Sequence, residues 1–169
     1  EKLQSNYEVI LKEYQSLLHN NVNSDYSSNE EHKLHIGTWE WYSLILKGVH
    51  QGQGGFVQHC PKTTALLQSF QNPHLMTSTP FSYTFFSKLH GKTVISSHTS
   101  PCNLRIRCHF PLIVPKAHRL EDCGMRVADR IFPWKIAEPI FFDDSYEHEV
   151  WNHTNEERVV LLFDLWHPE

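Results

Sequence analysis

No apolar run in this 169-residue sequence approaches the roughly 18–20 residues that a membrane-spanning helix needs, and no signal-peptide pattern is visible at its start. No stretch of five or more like charges occurs, and the formal net charge is −4, which argues against a nucleic-acid partner. The four cysteines, Cys60, Cys102, Cys108 and Cys123, form no C-x-x-C pair and no zinc-ribbon spacing. They read as reduced core thiols, because a domain of this size needs no disulfide staples. Internal repeats are absent, as are the compositional signs of disorder, collagen or coiled coil. The chain opens on Glu1 and not on Met, as a fragment would. Membrane association is therefore expected only through an anchor removed upstream.

What is present is a sequence 40% hydrophobic and 12% aromatic, enough for one domain around a sizeable core. Leu3, Tyr7, Ile10, Leu11, Tyr14, Leu17 and Leu18 recur at the spacing of one apolar helix face, which predicts a helix over 2–18. Residues 19–33 are polar and turn-rich and read as a linker or exposed loop, so the helix should pack beside the main body. This divides the chain into an N-terminal helix and linker, 1–36, and a main domain, 37–169. Residues 37–48 are dense in aromatic and β-branched side chains, as a strand is, and Pro61 opens a short helix running to Phe70. From residue 81 the spacing predicts short strands at 81–88, 93–98, 103–114, 125–128, 139–142, 147–151 and 158–166. Helices followed by a run of strands imply a mainly β fold, a jelly roll (double-stranded β-helix, cupin-like) with flanking N-terminal helices.

Two strands carry charge where a core strand would not. In NLRIRCHF, residues 103–110, Leu104, Ile106, Cys108 and Phe110 share one face, and Arg105, Arg107 and His109 share the other. That cationic face is either the wet side of a sheet or the lining of a pocket for carboxylates. In RVVLLFDLW, residues 158–166, both faces are apolar, so Arg158 should be partly buried and in need of an anionic partner. Asp143, Asp144, Asp164 or a ligand carboxylate could each supply it.

Thirteen histidines are too many to assign singly, but His98 and His148 stand out by context. His98 ends the strand TVISSH before a turn; His148 follows the turn Asp143-Asp144-Ser145 at the head of another strand. Two such strands supply metal ligands in jelly-roll oxygenases, with a carboxylate two residues after the first histidine. Ser100 occupies that position here. Asp143 reads as a turn residue.

The stretches PHLMTSTPFSYTFFSKL, HTSPCNLRIRCHFPLIVP, FDDSYEHEVWN and VVLLFDLWHPE together resemble the aspartyl/asparaginyl β-hydroxylase family of Fe(II)/2-oxoglutarate-dependent oxygenases. The resemblance runs from about residue 37 to 169 and is densest from 81 onward. It implies that His98 and His148 hold Fe(II). Catalytic members of the family also lack the acid at the position of Ser100, and a water oriented by Asp144 would fill that place. Ser87 and Arg158 would hold the distal carboxylate of 2-oxoglutarate. Arg107 and His109 would meet its other end or the substrate acid, and Arg105 is a further candidate for gripping a substrate carboxylate.

The implied activity uses 2-oxoglutarate and O2 to hydroxylate an unactivated C–H bond, at the β-carbon of aspartyl or asparaginyl residues in a peptide or protein. Alternatives are the same chemistry on a free amino acid, another small acid or a lipid acyl chain. A non-catalytic jelly-roll binding module and a zinc or manganese cupin are alternatives of a different kind. A cysteine pair carried by animal peptide-modifying members near the PKT segment is absent, with Thr64 in one of its places. The loops 49–60 and 116–135 also differ from those enzymes. Bacterial relatives are cytoplasmic and the peptide-modifying ones work in the endoplasmic reticulum lumen, so either compartment is compatible with the chain.

Overall fold

The final strand is buried on both faces, and the rest of the chain is arranged around it. The computed structural model describes residues 1–27, 35–52, 55–116 and 119–168. The helices are α1 (Lys2–Ser5), α2 (Tyr7–His19), α3 (Phe56–His59) and α4 (Pro61–Gln68). The strands are β1 (His35–Ile36), β2 (Trp39–Leu46), β3 (Val49–His50), β4 (Thr84–Leu89), β5 (Thr93–His98) and β6 (Arg105–Ile113). After them come β7 (Cys123–Val127), β8 (Arg130–Pro133), β9 (Ile140–Phe142), β10 (His148–Asn152) and β11 (Arg158–Trp166).

A larger sheet runs in the order β3-β2-β4-β11-β6-β9 and a smaller one in the order β1-β5-β10-β7-β8, with antiparallel pairing throughout. The period of two along β11 sends Val160 and Leu162 into the space between the sheets, where Trp41, Phe85, Met125 and Val150 meet them. Val159, Leu161 and Phe163 point the other way, onto Ile10, Tyr14 and Leu17 of α2. This is the expected jelly roll with helices laid on the outer face of its larger sheet.

The strands at 93–98 and 158–166 fall as expected, and the others shift by one to three residues. The N-terminal helix is broken at Asn6 and restarts at Tyr7. Three short strands, β1, β3 and β8, went unforeseen. β3 is only two residues long and closes on β2 through Lys47 and Gly48, both at positive φ. Any side chain at Gly48 would collide with the Thr79 backbone, the nearest atom being 2.2 Å away. β8 is an edge strand with three exposed residues of four, so it lacks the apolar alternation that marks a strand in sequence.

The polar stretch after α2 is more than a linker in the part described. Ser24 Oγ accepts the Trp41 N–H at 3.0 Å, and the Asp25 carboxylate accepts the Ser43 N–H and hydroxyl at 3.0 and 2.9 Å. Tyr26 then packs against Trp39 and Trp41 at ring distances of 5.1 and 4.9 Å. Residues 28–33 of the expected loop lie outside the described residues. All four cysteines are free thiols. Among the described residues no helix is long and apolar enough to cross a membrane.

Candidate active site

His98 closes β5 and His148 opens β10, and the register of these neighbouring strands sets the two residues opposite each other. Their ring centroids are 4.2 Å apart. Each ring is held the same way. His98 Nδ1 lies 2.7 Å from the Ser96 carbonyl and His148 Nδ1 lies 2.9 Å from the Tyr146 carbonyl. A carbonyl only accepts, so both rings carry a proton on Nδ1, which leaves Nε2 as the nitrogen a metal would meet. His148 is buried, and burial together with neighbouring His98 pushes its pKa down to about 4, so it is a neutral imidazole at physiological pH. Among the described residues no third histidine, cysteine or carboxylate joins them.

Beside the histidines lies a cluster of two arginines and two aspartates. Asp144 is almost fully buried; Arg105 Nε reaches both of its oxygens at 3.0 Å, and Arg105 Nη2 reaches one at 2.6 Å. Arg105 also donates to the Phe81 carbonyl, to Asp164 and to Ser100 Oγ, the last at 3.1 Å. Arg107 clamps Asp164 through Nε at 2.8 Å and Nη2 at 3.0 Å, while its Nη1 lies 3.3 Å from Asp144. Burial raises the Asp144 pKa, but Arg107 and Arg105 more than offset that and hold it below the ordinary carboxylate range. The arginine face predicted for 103–110 therefore points inward, as a balanced ionic cluster. Asp143 shapes its turn, accepting the Ser145 N–H at 2.9 Å.

Arg158 is different. Its side chain is among the largest fully buried ones, yet Nε and Nη1 have no hydrogen-bond partner among the described residues. Nη2 lies 3.5 Å from Ser87 Oγ, which also accepts Trp39 Nε1 at 2.9 Å. The guanidinium sits 4.9 Å over the Trp134 ring, and burial lowers its pKa to about 10. His109, stacked on Trp134 at 5.5 Å, has no hydrogen-bond partner for either ring nitrogen among the described residues, and burial followed by the nearby Arg158 charge pushes its pKa well down. Of the acids that could have answered Arg158 internally, Asp144 and Asp164 are committed to Arg105 and Arg107, and Asp143 to its turn. A buried cation without an anion is costly unless a ligand supplies one.

A cleft of about 580 Å³ opens onto His98, His148, Arg105, Arg107 and Asp144. The cleft is also lined by aromatic rings, Tyr26, Trp39, Trp41, Tyr83 and Phe85, with Tyr83 against Arg105 and Arg107. Sequence reasoning missed these rings. The alternation Trp39–Trp41 was a usable signal for two residues on one strand face, whereas Tyr26 sits in a segment with no local pattern.

A profile of the family described as "Aspartyl/Asparaginyl beta-hydroxylase" matches residues 4–168. The aspartyl/asparaginyl beta-hydroxylase of Mus musculus is 33% identical over 140 residues, covering 83% of this chain and 18% of that protein. The ornithine lipid ester-linked acyl 2-hydroxylase of Rhizobium tropici is 34% identical over 130 residues, 77% of this chain and 42% of that one. Human aspartate beta-hydroxylase domain-containing protein 2 is 31% identical over 174 residues, 99% of this chain and 44% of its own. The chain thus spans less than half the length of each of these relatives. Among solved structures, a Pseudomonas putida prolyl-4-hydroxylase superposes with a TM-score of 0.54 at 11% identity, covering 98% of this chain and 88% of its own. At that identity the likeness concerns the fold.

Proposed function

Since this chain belongs to the aspartyl/asparaginyl β-hydroxylase family, we propose that it is an Fe(II)- and 2-oxoglutarate-dependent dioxygenase that hydroxylates an unactivated C–H bond. The observation that carries the reading is Arg158, a buried guanidinium whose Nη2 reaches Ser87 and whose other two nitrogens have no hydrogen-bond partner among the described residues. Asp144, Asp164 and Asp143 are engaged elsewhere, and one carboxylate of a dicarboxylic cosubstrate would answer the Arg158 charge.

His98 and His148 would hold the iron through Nε2. The neutral state of His148 means that no proton has to be displaced for it to bind at neutral pH. Ser87 and Arg158 would seat the distal carboxylate of 2-oxoglutarate, with His109 beside it as a neutral group. Trp39 orients Ser87 by donating to its hydroxyl oxygen. Arg105 and Asp144 brace the segments that carry the histidines. Bound together, Fe(II), 2-oxoglutarate and O2 supply oxidation of a C–H bond with decarboxylation of the keto acid, while the protein places the reactants and excludes water.

The relatives' names offer two substrates for this chemistry: the β-carbon of an aspartyl or asparaginyl residue, and the acyl chain of a lipid. The test of the class is succinate formation with Fe(II), ascorbate, 2-oxoglutarate and O2. Iron-dependent succinate, lost in His98→Ala and His148→Ala, is the expected result. A protein that binds neither iron nor 2-oxoglutarate would instead be a non-catalytic jelly roll.

A further inference from the structure

We propose that Trp134 is a positioning residue of the cosubstrate site: its indole ring is the shelf that holds Arg158 and His109 in place before the keto acid arrives. Through Arg158 it strengthens the preference for a dicarboxylic acid. The inference rests on the oxygenase reading above and adds to it a residue from the opposite sheet.

The two sheets meet in this stack. His109 lies in β6 and Arg158 opens β11, both in the larger sheet, whereas Trp134 follows directly on β8, an edge strand of the smaller one. All three side chains are buried. The guanidinium carbon of Arg158 lies 4.9 Å over the Trp134 ring. The His109 ring is inclined only 20° to the same indole, with centroids 5.5 Å apart, and Phe142 meets His109 edge-on at 5.1 Å.

Hydrogen bonds do little to place either group. Arg158 Nε and Nη1 and both nitrogens of His109 have no partner among the described residues. The contact from Arg158 Nη2 to Ser87 Oγ, at 3.5 Å, is at the outer limit of a hydrogen bond. Arg105 and Arg107, by contrast, are fixed by Asp144 and Asp164. What orients the Arg158 guanidinium in the ligand-free site is therefore the face of Trp134. A cation over an indole is attracted by the negative face of the ring, more strongly where water is excluded. A group already confined loses less freedom when a carboxylate arrives, so binding is tighter.

Filling space does not account for the residue. Trp134 Nε1 is buried and, like Trp41 Nε1, has no hydrogen-bond partner among the described residues, whereas Trp39 and Trp151 donate to Ser87 Oγ and the Leu120 carbonyl. An unpaired indole N–H in the core carries a free-energy cost that leucine or phenylalanine would not. What offsets it lies in the ring face, and that face touches a cation and an imidazole.

The test truncates both partners. Wild type, Trp134→Leu and Trp134→Phe, each loaded with Zn(II), are titrated calorimetrically with 2-oxoglutarate and with 2-oxopentanoate, which carries a methyl group in place of the distal carboxylate. The proposal expects Trp134→Leu to weaken 2-oxoglutarate roughly tenfold and 2-oxopentanoate little, and Trp134→Phe, which keeps a ring face, to recover most of the loss. In an Arg158→Met background the leucine change should not alter the preference between the two acids. Equal weakening of both acids, the mark of a merely structural residue, would overturn the proposal. So would unchanged 2-oxoglutarate affinity, a phenylalanine variant no better than the leucine one, or a full effect without Arg158. Should Trp134→Leu not fold, labelling with 5-fluorotryptophan decides. The fluorine resonance of residue 134, identified by its loss in Trp134→Phe, must then shift with 2-oxoglutarate and less with 2-oxopentanoate; an unmoved resonance refutes the shelf. A wild type that binds no 2-oxoglutarate is a distinct result, which removes the oxygenase reading and this proposal with it.

Discussion

Arg105 and Asp144 join the two histidine-bearing segments of the site. Asp144 stands four residues before His148, and its backbone carbonyl accepts the N–H of Ser100, two residues after His98. Arg105 grips the Asp144 carboxylate through Nε and Nη2 and reaches Ser100 Oγ with Nη2. One guanidinium thus ties together the ends of β5 and β10 at the point where their histidines meet. The pair is a brace, and its removal should be felt at the metal as well as in stability.

For Asp144→Ala, which leaves two buried arginines underpaired, the expected loss of stability is about 3–5 kcal/mol by urea denaturation of the metal-free protein. A fall in affinity for Co(II), used as a spectroscopic stand-in for iron, of roughly 10–100-fold should accompany it. Asp144→Asn, which keeps part of the hydrogen bonding, should lose less of both. Unaltered Co(II) binding in the alanine variant would show that the brace does not act on the metal site.

Arg158→Met should separate stability from function. Removing a buried guanidinium that lacks an anion is expected to stabilise the ligand-free protein, by about 1–3 kcal/mol if the thioether packs against Trp134. The same change should weaken 2-oxoglutarate binding by roughly 10–100-fold, the worth of a charge-assisted hydrogen-bond pair, with Co(II) affinity kept. Calorimetric titration with 2-oxoglutarate checks this, and unchanged affinity would remove Arg158 from the cosubstrate site.

The depressed pKa of His148 predicts a pH dependence for the metal-free protein. Unfolded, the imidazole titrates near 6.5, whereas folded it titrates at about 4, so between these values the unfolded state binds more protons. Stability contributed by this group is complete above about pH 6.5 and declines as pH falls towards 4, by about 3 kcal/mol in total. Urea midpoints measured in chelator from pH 7.5 to 4.5 should fall accordingly, and His148→Gln should flatten that slope. An equal slope in the variant would place the titrating group elsewhere.

Ile10→Ala tests the join between the N-terminal helix and the jelly roll. Ile10 is fully buried in the cluster that contains Phe86, Phe110 and Leu161 of the larger sheet. A destabilisation of about 2–5 kcal/mol in a single cooperative transition is expected, because helix and sheet share one core. Two separate transitions would instead support residues 1–36 as an independent unit.

Much of this architecture was legible in the chain itself. The period of two in 103–110 placed Arg105, Arg107 and His109 on one face, and the doubly apolar run of 158–166 required Arg158 to be buried; both follow from local geometry that any strand imposes. His98 and His148 stood out as strand-end residues beside turns, and four motifs in order carried the family. None of this said which charges would meet. Asp144 is 39 residues from Arg105 in sequence, and Asp164 is 57 from Arg107, so their pairing depends on which strands become neighbours. Periodicity assigns a side chain to a face but not to a partner across it. Three aspartates were equally available to Arg158 in the sequence. The sheet order assigned two of them to its neighbours and the third to a turn, and left Arg158 buried without an anion among the described residues. Tyr26 joined the cleft wall in the same way, from a polar segment whose place was set by Ser24 and Asp25 hydrogen-bonding to a strand well beyond them in the chain. The composition and pattern of the residues determined the fold and the candidate ligands. Which charges are cancelled in the cleft, and which one waits for a ligand, was decided by long-range packing.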